Sequence, residues 1–235
     1  MMHFLGNEGN TGLINHLEEE GIDLRKNPVE FTTYNDFYLK GGIHYNERGE
    51  TSLRGLYAAG DEFGGGGSAA AIFGHIAGGS VAAYAKSVAF PDAEINQDKI
   101  ESRERLIHEI LNRDRDAGAS WKEVNLALQQ IMDDCAGAIR SEPLLDAGLT
   151  YLGRLKQKAR ATLVAENQHE LMRCLEVLNL LDVGAIVCLA AKERKETRGL
   201  HVRSDYPLTN PILQKLLIIK KVEENPFVEW REVQM

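Results

Sequence analysis

From about residue 96 to residue 196 the chain carries apolar side chains at helical spacing with few breakers. A stretch of that length and period has few outcomes, because each helix must bury its apolar stripe on a neighbour; an antiparallel bundle of three to four helices satisfies them all. The period predicts helices over roughly 96–115, 120–140, 144–164 and 167–195. Ser120 followed by Glu123 is a capping box. Ser141 with Pro143 in the first turn opens the next helix. The last helix sets Leu171, Cys174, Leu175, Leu178, Leu181, Ala185 and Cys188 on one face.

The preceding residues have a different texture. "TGLINHLEEEGI" (11–22) predicts a short helix ended by Gly21, and "NPVEFTTYNDFYL" predicts extended chain. "GGIHYNERGETSLRGLYAAGD" reads as a hairpin with its turn at Gly49, followed by a buried strand, "LYAAG". Then come four glycines and a helix expected to begin at Ser68, dominated by Gly and Ala up to about Ser87. Gly78 and Gly79 each cost a helix about 1 kcal/mol, which predicts tight packing against a sheet or ligand. Consecutive glycines let a backbone approach a ligand closely, and the N–H groups of a helix start face an anion or carbonyl. Asp61, at the strand end, can accept hydrogen bonds from sugar or polyol hydroxyls. This is not the dinucleotide fingerprint, which wants Gly-x-Gly-x-x-Gly between a first strand and helix, and "GGGGS" alone also reads as a linker. After 197 a polar irregular segment leads into one or two closing strands.

With 235 residues the chain is long enough for one large domain or two small ones. A net charge of −8 argues against nucleic acid as a partner. No run approaches the roughly 18 uninterrupted apolar residues of a membrane span, and the best, Leu178 to Ala191, holds Asn179 and Asp182. The N-terminus lacks the basic-then-apolar layout of a signal peptide. The three cysteines, Cys135, Cys174 and Cys188, read as reduced core thiols in a cytosolic protein, with no metal site.

"GGIHYNERGETSLRGLYAAGD" resembles a segment of the succinate dehydrogenase/fumarate reductase flavoprotein family, with L-aspartate oxidase and adenylylsulfate reductase as relatives. A second block, "ERKETRGLHVRSDYP" from Glu193 to Pro207, is similar to the family's Arg-Lys-Glu-Ser-Arg-Gly-x-His-x-Arg-x-Asp-Tyr-Pro. The resemblance runs from about residue 12 to 208 and implies an α+β chain in three parts. Residues 1–35 would be the tail of a capping domain, 36–92 the C-terminal part of an FAD-binding domain, and 93–235 a helical C-terminal domain with a short extended tail. The family's nucleotide-binding glycine motif belongs upstream of anything in this sequence, so the resemblance is to the C-terminal part of a larger flavoprotein. The implied cofactor is FAD. Gly41 and Gly42 would pass beside the flavin ring, Asp61 would stand where the family has a glutamate on the ribityl chain, and the Ser68 and Ala69 amides would face the pyrimidine carbonyl. No catalytic residue is assigned. Arg194, Arg198, His201, Arg203 and Asp205 are expected to form an ion-pair network tying the helical domain to the flavin domain.

Two departures bear on substrate. Phe37 stands where the family has a histidine that contacts the substrate carboxylate, and the segment between Asp61 and Ser68 contains no arginine to clamp a dicarboxylate. Losing a charge-assisted contact from each of two cations costs about 1.5–3 kcal/mol apiece, which counts against a C4-dicarboxylate; Lys40, His44 and His75 are the available replacements. The resemblance implies hydride or electron transfer between flavin and a small substrate or an iron–sulfur partner. The 235 residues alone are expected to be inactive, for want of the N-terminal flavin-binding part. The alternatives are a non-catalytic helical interaction module and an adenylylsulfate-reductase-like electron-transfer subunit. The expected location is the cytoplasm, or the inner membrane face through a partner, without direct membrane insertion.

Overall fold

The computed structural model describes residues 15, 17–23, 26, 41–60, 66–88, 97–115, 117–223 and 225–233. Two compact units divide at Asp36 and Phe37. In the first, Leu17–Glu19 are helical and Gly21 turns the chain with a left-handed φ of 75°. The extended stretch expected after Asn27, together with Phe37, Lys40 and Asp61, lies outside the described residues.

In the second unit, the expected hairpin is held by isolated bridges rather than full strands, Tyr45 with Thr51 and Glu50 with Tyr57. Polar turn-formers occupy the segment: Asn46 accepts from the backbone N–H groups of Arg48 and Glu50, and Thr51 bonds the carbonyls of Leu53 and Leu56. Backbone that turns this often cannot extend a ladder. Helix α1 (Gly66–Ser87) follows and starts two residues earlier than Ser68.

Helices α2 (Gln97–Asn112), α3 (Trp121–Ala136), α4 (Glu142–Thr162) and α5 (Gln168–Glu193) form the helical part. The predicted capping box is present: Glu123 N–H donates to the Ser120 hydroxyl at 3.3 Å, and the Glu123 carboxylate accepts from Ser120 N–H at 2.7 Å. Asn167 caps α5 through Glu170 N–H. Short connections between α3, α4 and α5 force antiparallel neighbours. Their core holds Val124 and Leu128 from α3, Leu145 and Leu152 from α4, and Cys174, Leu178, Leu181 and Cys188 from α5, with Ile110 from α2. Gly148 lets α4 lie close to α3 and α5, since a Cβ there would lie 2.9 Å from Cys135 Cβ and 3.3 Å from Cys188 Sγ. By length and composition α5 could cross a bilayer; here its Cys174–Leu181–Cys188 stripe is the bundle core. All three cysteines are free and buried, as read from their apolar context.

Strand β1 (Ile139–Arg140) leaves α3 and pairs in parallel with β2 (Val202–Arg203), Ile139 opposite Val202. The chain closes with an antiparallel ribbon, β3 (Lys215–Val222) on β4 (Asn225–Glu232), with Leu217 opposite Trp230 and Ile219 opposite Val228.

Candidate functional site

Two constructions stand out: the lobe formed by residues 41–60 with α1, and a buried charge network behind α5. In the lobe, Ala70, Phe73, Ala77 and Tyr84 fall on one face of α1 and receive the hairpin. Tyr45 packs edge-on to Phe73 with ring centroids 6.1 Å apart, and Tyr57 tilts against Tyr84 at 6.3 Å. Between these aromatic contacts the backbones come close. A Cβ on Gly49 would meet Ala77 Cβ at 2.7 Å, and one on Gly60 would meet Ala70 Cβ at 3.0 Å. Both glycines also have left-handed φ, 75° and 88°, so shape and conformation each demand glycine. The predicted tight approach is therefore real, but it falls at these two glycines and not at the helix's own Gly78 and Gly79, beyond which lies open space.

A neighbouring face of α1, about 100° round the helix from the hairpin contacts, is unusual. Gly67, Ala71, Gly74, Gly78, Ala82 and Ala85 repeat at helical spacing and all are exposed, making a stripe on which another backbone could lie. Ser68 is exposed in the first turn of α1, with Ala69 half-buried beside it and no acidic residue in that turn. The first N–H groups of a helix lack intrahelical acceptors and carry the positive end of its dipole. Gly41 and Gly42 are exposed, with nothing within 4 Å of a Cβ placed on Gly41. His44 is exposed; His75 lines a groove of about 770 Å³ between the hairpin and α1, together with Arg48, Glu50, Tyr57 and Tyr84.

The charge network gathers all five residues the sequence singled out. Its centre, Glu196, was not among them. Its side chain is fully buried and accepts four hydrogen bonds: from Arg194 Nη1 at 2.7 Å, Arg198 Nε and Nη2 at 2.9 and 3.0 Å, and Asn210 N–H at 2.8 Å. Burial alone would raise its pKa, but these donors outweigh it and hold the carboxyl down at about 2. Arg203, also fully buried, forms a two-pronged pair with Asp205 at 2.8 and 2.7 Å and donates to the last-turn carbonyls of α5, Ala191 and Lys192. That pairing holds the Asp205 carboxyl well below the usual carboxylate range. Arg140, from β1, donates through Nε to the Ala136 and Gly137 carbonyls and through Nη1 to His201 Nδ1 at 3.1 Å. His201 Nε2 lies 3.0 Å from the Arg194 carbonyl. A guanidinium only donates and a carbonyl only accepts, so the ring is neutral with its proton on Nε2. Burial, with Arg140, Arg203 and Arg194 close by, lowers the His201 pKa.

The expected network is present. Among the described residues, the hydrogen-bond and ion-pair partners of Arg194, Arg198, His201, Arg203 and Asp205 lie between Arg140 and Lys215 rather than in residues 41–60 or 66–88. Arg194 also stacks over the Trp230 ring at 4.8 Å. The network locks the end of α5 to β1, β2 and the closing ribbon. Arg194 and Arg198, two residues to either side of Glu196, are a local sign of its pairing; its burial and fourth bond arrive only when the chain turns back at Asn210.

Residues 125–235 match the family described as fumarate reductase flavoprotein C-term. One component of the CoM/CoB fumarate reductase of Methanothermobacter marburgensis is 29% identical over 221 residues, covering 88% of this chain and 39% of that protein. An FAD-dependent oxidoreductase of Methanocaldococcus jannaschii is 30% identical, covering 85% of this chain and 38% of that one. Among solved structures, adenylylsulfate reductase from Archaeoglobus fulgidus shares the fold with a TM-score of 0.71 at 22% identity, over 80% of this chain and 33% of that chain. Sdh1 of Mycobacterium smegmatis superposes with a TM-score of 0.70 at 25% identity, over 84% of this chain and 36% of that chain. The chain belongs to the succinate dehydrogenase/fumarate reductase flavoprotein family, of which it carries a C-terminal portion. It spans about two fifths of the length of the curated relatives it matches.

Proposed function

We propose that this chain supplies one wall of the flavin site and the helical domain of an FAD-dependent oxidoreductase, which passes hydride or electrons between flavin and a small substrate or an iron–sulfur partner. The observation that carries the reading is the α1 lobe. One face of the helix is consumed by the hairpin, a neighbouring face is a bare Gly/Ala stripe, and the first turn presents unneutralised N–H groups. These residues fit a flavin completed by other chain: a Cβ at Gly41 meets only open space, and the α1 start favours a carbonyl carrying negative charge.

In this reading the residues divide the work. Gly41 and Gly42 let backbone run beside the ring. The Ser68 and Ala69 amides donate to the pyrimidine edge, and Asp61 accepts from the ribityl hydroxyls. The FAD-binding part that completes the site would lie along the Gly67–Ala85 stripe. When bound, FAD supplies the hydride and one-electron chemistry. The absence of an arginine between Asp61 and Ser68, with Phe37 at the family's histidine position, favours a substrate other than a C4-dicarboxylate. The domain division at 35/36 and 92/93 belongs to the same proposal, as does a location in the cytoplasm or on the inner membrane face through a partner.

The test is to purify the protein translated together with its upstream coding sequence, measure flavin released on denaturation, and repeat with Asp61→Ala and Gly78→Val. The parent should carry flavin, the isolated 235 residues should retain little and show no turnover, and both variants should lose flavin. A flavin-free extended protein, or full retention in both variants, refutes the assignment.

A further inference from the structure

We propose a second, separate binding site: a phosphate-bearing anion site in the cleft between α2 and the last turn of α4. The cleft has a volume of about 240 Å³ and is lined by Ser102, Arg103, Arg105, Leu106 and Glu109 of α2 and by Arg160 of α4. Ser102, Arg105, Leu106 and Glu109 lie one helical turn apart on a single stripe of α2, so the lining is a face and not a scatter. The back of the cleft is fixed by main chain. Arg113 donates to the Leu163 carbonyl at 2.6 Å and to the Arg160 carbonyl at 3.1 Å, and Ala165 N–H donates to the Ile110 carbonyl at 3.3 Å. The two helix ends are thus clamped, and Arg160 is held beside α2.

The charge pattern points to the ligand. The chain has 35 acidic and 27 basic side chains, yet three arginines share this cleft, and no carboxylate among the described residues lies within 4.0 Å of any of their guanidiniums. The one acid in the lining, Glu109, leans toward Arg113 at 3.8 Å. Three planar guanidiniums and a serine hydroxyl around a space large enough for one tetrahedral oxyanion match phosphate, which arginine recognises in two-pronged fashion. The same chemistry is offered by a free phosphorylated metabolite and by a phosphomonoester lipid headgroup.

The experiment titrates the 235-residue chain with pyrophosphate by calorimetry and, in a parallel arm, co-sediments it with phosphatidylcholine vesicles with and without phosphatidic acid. Saturable pyrophosphate binding should weaken about tenfold in Arg160→Gln and in Arg105→Gln, the loss of one charge-assisted bond each. It should strengthen in Glu109→Gln and remain unchanged in Lys86→Gln on α1. A folded-state check by circular dichroism accompanies each variant, and the gain in Glu109→Gln cannot arise from misfolding. Co-sedimentation that requires phosphatidic acid and fails in Arg160→Gln supports the site and identifies the lipid headgroup as its source. Binding in neither arm, or binding indifferent to the arginine variants, overturns the proposal.

Discussion

Replacing Glu196 by glutamine keeps the shape of the buried hub and removes its charge. Both oxygens are fully used in the native chain, each accepting two hydrogen bonds, three of the four from guanidiniums. The amide retains one acceptor, while its NH₂ group is aimed at donors and repels them. Removing one partner of a buried charge cluster costs about 3–5 kcal/mol. Arg194 and Arg198 keep side-chain exposures of 20% and 37%, so water relaxes part of the loss and the lower end, about 3 kcal/mol, applies. For a chain of this size, that lowers Tm by about 6–12 °C. The acid limb provides a second readout. The folded carboxyl sits at about 2 against an ordinary 4.5, so its contribution is complete above 4.5 and drains away as pH falls toward 2. Urea unfolding followed by circular dichroism across that range should show the E196Q chain losing less stability on acidification than the parent. A loss under about 1 kcal/mol at neutral pH, or an unchanged acid limb, would refute the hub as the anchor of the tail.

Two further outcomes follow from packing. Gly49→Ala drives a Cβ to 2.7 Å from Ala77 at a left-handed φ and should cost about 2–3 kcal/mol. Gly74→Ala meets open space and should stabilise α1 by up to about 1 kcal/mol. Hydrogen exchange at the Ala58 amide reads the first, and α1 amides the second; like-signed effects would refute the two-faced description of α1. Burial pushes the Cys174 and Cys188 thiols up to about 11 and raises Cys135. A disulfide reagent at neutral pH should therefore label none of the three quickly until denaturant is added, and rapid native labelling would contradict the packing.

The bundle was legible because helical period, the Ser120–Glu123 box and the Ser141–Pro143 start all act within a few residues. The α5 stripe named from spacing supplies Cys174, Leu178, Leu181 and Cys188 to the core. The need for close approach around α1 was also readable, though which glycines meet a neighbour depends on how the hairpin docks, and Gly49 with Gly60 do so while Gly78 and Gly79 do not. The charge network was half visible. Arg194, Arg198, His201, Arg203 and Asp205 could be picked out, but Glu196, in a run of charged neighbours, reads as a solvated acid. Arg140 gives no local sign that it will be buried beside His201. The Asn210 bond that completes the Glu196 hub and the His201 contact of Arg140 both depend on a return of the chain that no short window contains. Asp61, read from its place at the strand end, lies outside the described residues.

The pairing of Ile139 with Val202 reaches across the whole of α4 and α5. The helical hairpins pair neighbours in sequence, whereas this parallel clasp pairs residues about sixty positions apart and carries the larger loop-closure cost. A chain ending at Glu193 would keep its helices but leave Arg140 without its imidazole acceptor and β1 without a mate. The working boundary of this domain is therefore set not where its last long helix stops but beyond Asn210, where the returning backbone N–H reaches Glu196.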